Sequence, residues 1–250
     1  MSKYLGLLLL CLMLPVSAEQ KQQTNLQQKG FIYGLGVSVS QELYKGYNRR
    51  IVPIPVLGYN SEYLNIYGPF VNINLLRAGA VTVALSGNPR FAGYDESDSD
   101  IFLGMEERKN SYEVGGLIGV QAGQWSLDFA ARYDLLNVHK GSTFSSTLSR
   151  RFNYGMVFIE PSIGITIFDA DLVNYYYGVR ESEATATRPA YQAESSKRGN
   201  VGVVFSTPMW LNGFTQLGVN FAAYDREIEN SPLVDTNKQL SLFLSFSKFF

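Results

Sequence analysis

Along most of this chain, apolar residues recur at every second position. The clearest stretch is QWSLDFAARYD at 124–134. Trp125, Leu127, Phe129, Ala131 and Tyr133 share one face, and Ser126, Asp128, Ala130, Arg132 and Asp134 share the other, because successive strand side chains point to opposite faces. The preceding SYEVGGLIGVQ sets Tyr112, Val114, Ile118 and Val120 against Glu113, Gly115, Gly119 and Gln121, and Ala122-Gly123 reads as the hairpin turn between the two. Comparable segments lie near 31–43, 50–59, 62–76, 79–88, 142–153, 156–168, 171–180, 198–208, 212–225 and 236–250. The pattern predicts about twelve strands joined mostly by short turns, with a helix conceivable only near 99–107. Pro53 and Pro55 each lack a ladder donor, so the strand at 50–59 is expected to be irregular, at a bulge or a rim.

Two architectures use such alternation. A soluble sandwich buries the apolar face, whereas a membrane barrel turns it to lipid and lines its interior with the polar face. Several features favour the barrel. The polar face is rich in small residues and carries the isolated charges Glu113, Asp128, Arg132 and Glu160. Trp125 and Tyr133 end one apolar stripe. Their separation of about 27 Å along a strand, or roughly 21 Å along the membrane normal at a tilt of about 40°, approaches the apolar band of about 25 Å with its aromatic girdles. Val157, Ile159, Ile163, Ile165 and Ile167 form an outward line broken only by Pro161, where a soluble strand would show polar residues.

The last twelve residues, QLSLFLSFSKFF, place Leu240, Leu242, Leu244 and Phe246 on one face and end on Phe250. In lipid a sheet must leave no open edge, so this strand is expected to pair with the first and to need no cover but hydrocarbon. The fold class read from the pattern is all-β, an antiparallel transmembrane β-barrel. Leu242, Leu244, Phe246 and Phe250 together resemble the signal that bacterial outer-membrane barrels present to their assembly machinery.

Composition agrees. Charged residues make up 17% and aromatics 14% of the 250, and after the first residues no apolar run approaches a membrane helix. Lys3, the apolar run from Leu5 to Leu14 and Val16-Ser17-Ala18 form a secretory leader, residues 1–18. A periplasmic segment at 19–30 and the barrel at 31–250 follow. Cys11, the one cysteine, falls in the leader behind Leu10 rather than a small residue, so neither lipidation nor a disulfide is expected. With 21 basic against 22 acidic residues, the balance excludes a nucleic-acid partner.

Candidate chemistry is sparse. His139 is the only histidine. Ser142 lies three residues on, an odd offset that puts the two on opposite faces of one strand, and a protease-like pairing would have to recruit Asp134. His139-Lys140-Gly141 reads first as a turn, and no enzymatic activity, cofactor or metal is expected. Asp95, Asp98, Asp100, Glu106 and Glu107 lack the full spacing of a calcium loop. Glu113, Asp128, Arg132 and Glu160 read first as filling of a small lumen; Glu113, Asp128 and Arg132, on adjacent strands, could instead form an ion network that blocks the pore or line a narrow channel that selects charge.

Tyr44-Lys45-Gly46, Pro53-Ile54-Pro55, Tyr176-Tyr177-Gly178-Val179 with Glu181 and Glu183, Ser231-Pro232-Leu233-Val234 and Phe250 together resemble the MipA/OmpV family of outer-membrane proteins. The resemblance spans most of the mature chain. It implies a location in the outer membrane of a Gram-negative bacterium and a scaffold linking a lytic transglycosylase and a penicillin-binding protein to that membrane. A narrow porin-like channel is the alternative. Counting strands back from Phe250 puts 180–198 and 225–238 outside the cell and 169–171 and 207–213 in periplasmic turns. The same count puts 89–110 in the periplasm. Ser99, Asp100, Glu106 and Glu107 would then belong to a surface that docks the murein enzyme.

Overall fold

The computed structural model describes residues 29–208 and 213–250. The expected leader and most of the segment 19–30 lie outside the described residues. The elements in chain order are β1 (Gly30–Gln41), β2 (Arg49–Asn60), β3 (Leu64–Tyr67), β4 (Phe70–Ala78), β5 (Val81–Arg90), β6 (Ser111–Ala122) and β7 (Trp125–Asp134). There follow β8 (Ser142–Arg150), β9 (Phe152–Tyr154), β10 (Val157–Phe168), the helix α1 (Ala170–Tyr177), β11 (Ser196–Thr207), β12 (Phe214–Tyr224), the short helix α2 (Arg226–Glu229) and β13 (Lys238–Phe249). β8 and β9 both pair with β10, so they are one stave interrupted at Arg151. Every pairing is antiparallel, and β10 joins β11 while β13 joins β1, which closes the sheet into a twelve-stave barrel.

The closing seam runs from Ile32↔Phe249 to Ser40↔Ser241. The terminal strand is therefore covered by β1 and β12 at its edges and by nothing on its outer face, where Leu242, Leu244 and Phe250 are exposed. The same holds all round: Phe31, Leu35, Ile51, Leu57, Phe129, Ile163 and Phe221 are large, apolar and exposed. No helix among the described residues is long and apolar enough to cross a membrane.

The predicted number of strands is right, but two of the predicted segments are not. The segment 62–76 is two strands, because Gly68 (φ +58°) turns the chain back on itself between β3 and β4. The segment 171–180 is no strand but α1. Asp169 caps it by accepting the Leu172 N–H at 3.0 Å, and Leu172, Val173 and Tyr176 share one buried helical face. One strand is gained and one lost, so the total survives while the parity between them reverses. The segments 91–110 and 169–171 therefore lie at the same end as 42–48, 135–141, 180–195 and 225–237, opposite the termini. Since outer-membrane barrels have short periplasmic turns and longer external loops, this crowded end faces outward.

Candidate functional site

The long loops do not splay; they pack into a cap over the outer mouth. Leu43, Phe168, Leu172, Val173, Tyr176, Ala193, Tyr224, Ile228 and Val234 form one buried cluster. Tyr44, Tyr94, Phe102, Met105, Val179 and Leu233 form a second. Tyr94 stacks on Phe102 with ring centroids 4.0 Å apart, and Tyr44 stacks on Tyr177 at 5.5 Å. Such aromatic contacts add to the gain from area burial. The hydroxyls of Tyr44 and Tyr94 both donate to the carbonyl of Tyr176, at 3.2 and 3.1 Å, so carbonyl and phenols satisfy each other at the end of α1. Burial pushes the Tyr176 phenol up to about 12 and raises those of Tyr44, Tyr94 and Tyr177, so all stay protonated donors.

Two arginines tie the cap loops together. Arg108 donates from Nη2 to Glu183 Oε2 at 2.7 Å and from Nε to the Tyr175 carbonyl at 2.7 Å. Arg188 donates to the carbonyls of Ile101, Leu103 and Glu183. Burial raises the pKa of Glu183, but the Arg108 hydrogen bond and the N–H groups of Arg180 and Glu106 outweigh it, and the carboxyl sits below its ordinary range. A groove of about 650 Å³ crosses the outer surface of the cap between Lys140, Tyr175, Arg180 and Tyr191.

Beneath the cap, the lumen charges do not form a single network. Glu113 accepts from Arg90 Nε at 2.6 Å and faces His139 Nε2 at 3.4 Å. Arg132 donates to Ser86 at 3.0 Å, Asp128 accepts from Ser126 at 3.2 Å, and Glu160 accepts from Arg151 at 2.9 Å. Each predicted lumen residue thus has its own local partner. The pairing of Glu113 with Arg90 was not legible, because it joins two strands whose register only the fold fixes.

His139 is anchored by its own loop. Its N–H and that of Lys140 donate to the buried Asp134 carboxylate at 2.7 and 3.1 Å, and its Nδ1 accepts from the Gly141 N–H at 3.0 Å. The Ser142 hydroxyl donates to Asp169 at 2.7 Å, away from the imidazole. The acidic segment bonds mostly to its own loops. Asp95 accepts twice from Ser97, which lowers its pKa, and Asp98 accepts from the Asp95 N–H. Ser99 donates to the Lys45 carbonyl at 2.8 Å, and Glu106 pairs with Arg180. Asp100 opens a short 3-10 turn over Asp100–Phe102, and Glu107 is exposed. Ser99, Asp100, Glu106 and Glu107 therefore stand in the outer cap, not beside the termini where a periplasmic docking surface was expected.

Three of the motifs that carried the family resemblance, at 44–46, 176–179 and 231–234, meet in this cap, whereas Phe250 lies at the opposite end beside Phe31. Tyr44, Tyr177, Val179 and Leu233 share its aromatic cluster. The Lys45 N–H donates to the Leu233 carbonyl at 2.9 Å, and the Ser231 hydroxyl donates to the Tyr177 carbonyl at 2.6 Å. Pro53-Ile54-Pro55 lies just below, in the wall.

The chain has relatives among known proteins. The chain is 26% identical to outer membrane protein Omp26La of Vibrio anguillarum, over 81% of this chain and 75% of the relative. It is 24% identical to the MltA-interacting protein of Escherichia coli K12, over 82% and 84%. Among solved structures, the CymD monoaromatic hydrocarbon channel aligns over 89% of each chain at 10% identity, with a TM-score of 0.42. The family described as MltA-interacting protein MipA matches residues 33–250. This outer-membrane barrel belongs to the MipA family.

Proposed function

We propose that this protein is a non-conducting outer-membrane anchor. In this reading it holds a lytic transglycosylase, and with it a penicillin-binding protein, at the inner face of the membrane. The observation that carries the reading is the packed cap over the outer mouth, in which Phe102, Leu172, Val173, Tyr176, Ile228 and Leu233 are all at most 1% exposed. A solute pore would need a wetted path through that core, whereas an anchor needs only a rigid wall and a periplasmic face. The name of the E. coli relative supports the partner class. The docking surface then belongs to the end that carries the termini, where Glu62-Tyr63, Arg77 and Arg151 are exposed.

The test is direct. Refolded mature protein placed in planar bilayers is expected to give no steady conductance and to retain a purified transglycosylase on a column. Ohmic current steps from the wild type would refute the anchor. A second reading, a gated narrow channel, is favoured by the small and polar lumen lining of Gly115, Gly119, Gly164 and Gly202 beside Asp128 and Glu160. It predicts current only once the cap is loosened.

A further inference from the structure

The barrel wall is incomplete on one side. β3 pairs with β2 only from Gly58 to Asn60, and β4 reaches β5 only as far as Gly87. Above the Gly68-Pro69 turn, the outer halves of β2 and β5 therefore face each other without a strand between them. Higher up, Arg50 closes the opening by donating from Nη1 to the Gly93 carbonyl at 2.7 Å.

The prolines of these strands lie at this opening for a reason. The Gly68 N–H donates to the Leu57 carbonyl, so the backbone polar groups of Pro53, Pro55 and Leu57 point into the opening. On the other lip the Leu135 N–H donates to the Tyr112 carbonyl. The groups of Tyr112 thus face β7, and those of its cross-strand partner Pro89 face the opening. All three prolines lack their N–H where no partner strand supplies an acceptor. A ladder cannot zip across these lips, so the opening is a built feature of the wall.

What remains is an apolar notch of about 410 Å³, walled by Pro53, Pro55, Leu57, Pro69 and Phe91 and floored by the buried Ile54. Pro53, Pro55 and Leu57 belong to the outward, exposed stripe of β2, so the notch opens to lipid. On that same stripe, at the outer end of β2, stands Arg49, exposed and with no carboxylate partner among the described residues. Its neighbour Arg50 points inward and pairs with Glu42 at 2.9 Å. Pro53 lies roughly 10 Å below Arg49 along the membrane normal, at about 3.4 Å per residue and about 40° of tilt. An unpaired guanidinium at headgroup depth thus sits above a rigid apolar slot at acyl-chain depth.

We propose that this notch binds one lipid of the outer leaflet, with an acyl chain between the proline lips and a headgroup phosphate on Arg49. The guanidinium fork matches a phosphate bidentately, and the proline and phenylalanine rings lose little freedom on contact. Native mass spectrometry of the full mature protein in detergent tests this, with titration by phosphorylated lipid A and by its dephosphorylated form. Folding of each variant is checked by heat-dependent electrophoretic mobility. The wild type is expected to retain one phosphorylated lipid. Arg49→Gln is expected to weaken that form about tenfold and leave the dephosphorylated form unchanged, with Arg49→Lys recovering part of the loss. Pro53→Phe, which fills the slot, and Phe91→Ala, which removes one wall, are each expected to weaken both forms. Retention by folded Arg49→Gln or folded Phe91→Ala equal to that of the wild type would overturn the assignment and leave only lipid adhering to the barrel surface.

Discussion

Arg108 and Glu183 lie 75 residues apart in the chain and meet at 2.7 Å in the cap, with side chains 1% and 3% exposed. One lies in the loop between β5 and β6, and the other lies beyond α1, so the pair locks two loops that share no strand. Removing one partner of such a pair leaves the other charge buried and costs about 3–5 kcal/mol, more than the pair itself contributes over an apolar replacement. Glu183→Gln is expected to expose 91–110 to protease while the barrel keeps its folded mobility. The double change Arg108→Met with Glu183→Leu should recover much of the protection. Equal cleavage of wild type and Glu183→Gln would contradict the lock.

The same carboxyl sets a pH dependence. Its folded pKa lies below the ordinary carboxylate value of about 4.3, so its contribution is fully present above that value and is lost as pH falls through the lower folded pKa. Amide exchange in 91–110 and 180–188 should be flat from pH 7 to about 5 after correction for the intrinsic rate, then rise below about 4. In Glu183→Gln the acid step should vanish. Persistence of the full step in that variant would assign it to another group.

Gly34 sits on the closing seam, where an added Cβ would run into the carbonyl of Phe246 and the Cα of Ser247. Gly34→Val is expected to block closure and leave the chain unfolded in detergent. Gly116 faces outward, with no atom within 4 Å of an added Cβ, so Gly116→Ala should fold like the wild type. The folded fraction on unheated gels gives the comparison.

Phe250 donates its N–H to the Phe31 carbonyl at 3.0 Å and sets its ring 4.8 Å from that of Tyr33. The residue is 85% exposed, so its packing adds little to the finished barrel. Deleting it should slow membrane assembly in cells severalfold while barely moving the denaturant midpoint of the assembled protein. A large fall in that midpoint with unchanged assembly would assign Phe250 to the finished wall rather than to a signal.

Much of this was legible from spacing alone, and particular residues show where legibility stops. The alternation at 124–134 marks β7 directly, since a half-lipid, half-lumen strand has no other way to distribute its side chains. Residues 171–180 defeat the same reasoning. Leu172, Val173 and Tyr176 are apolar because they face a protein core, and a short apolar run over the mouth of a barrel looks like one more stave. Gly68-Pro69 was hidden inside a continuous apolar segment for a similar reason, because both sides of that turn still face lipid. For the candidate site, Glu113 and Arg132 stand out as isolated charges in the alternation, yet Arg90 and Ser86, which they meet, lie on β5, one strand away from Glu113 and two from Arg132, and depend on register. Arg108 and Arg188 carried no sequence signal, because loop charges are usually solvated.

Period-two hydrophobicity and the terminal Leu-Phe stripe determined by themselves that this is an outer-membrane barrel. Lipid imposes its demand on every residue of every strand, so the pattern repeats until it cannot be missed. Which end the long acidic loop occupies, how the mouth is stoppered and where the wall gapes between Pro53 and Pro89 depend instead on single turns and on side chains that meet across dozens of residues. Such contacts leave no periodic trace, and only the folded arrangement decides them.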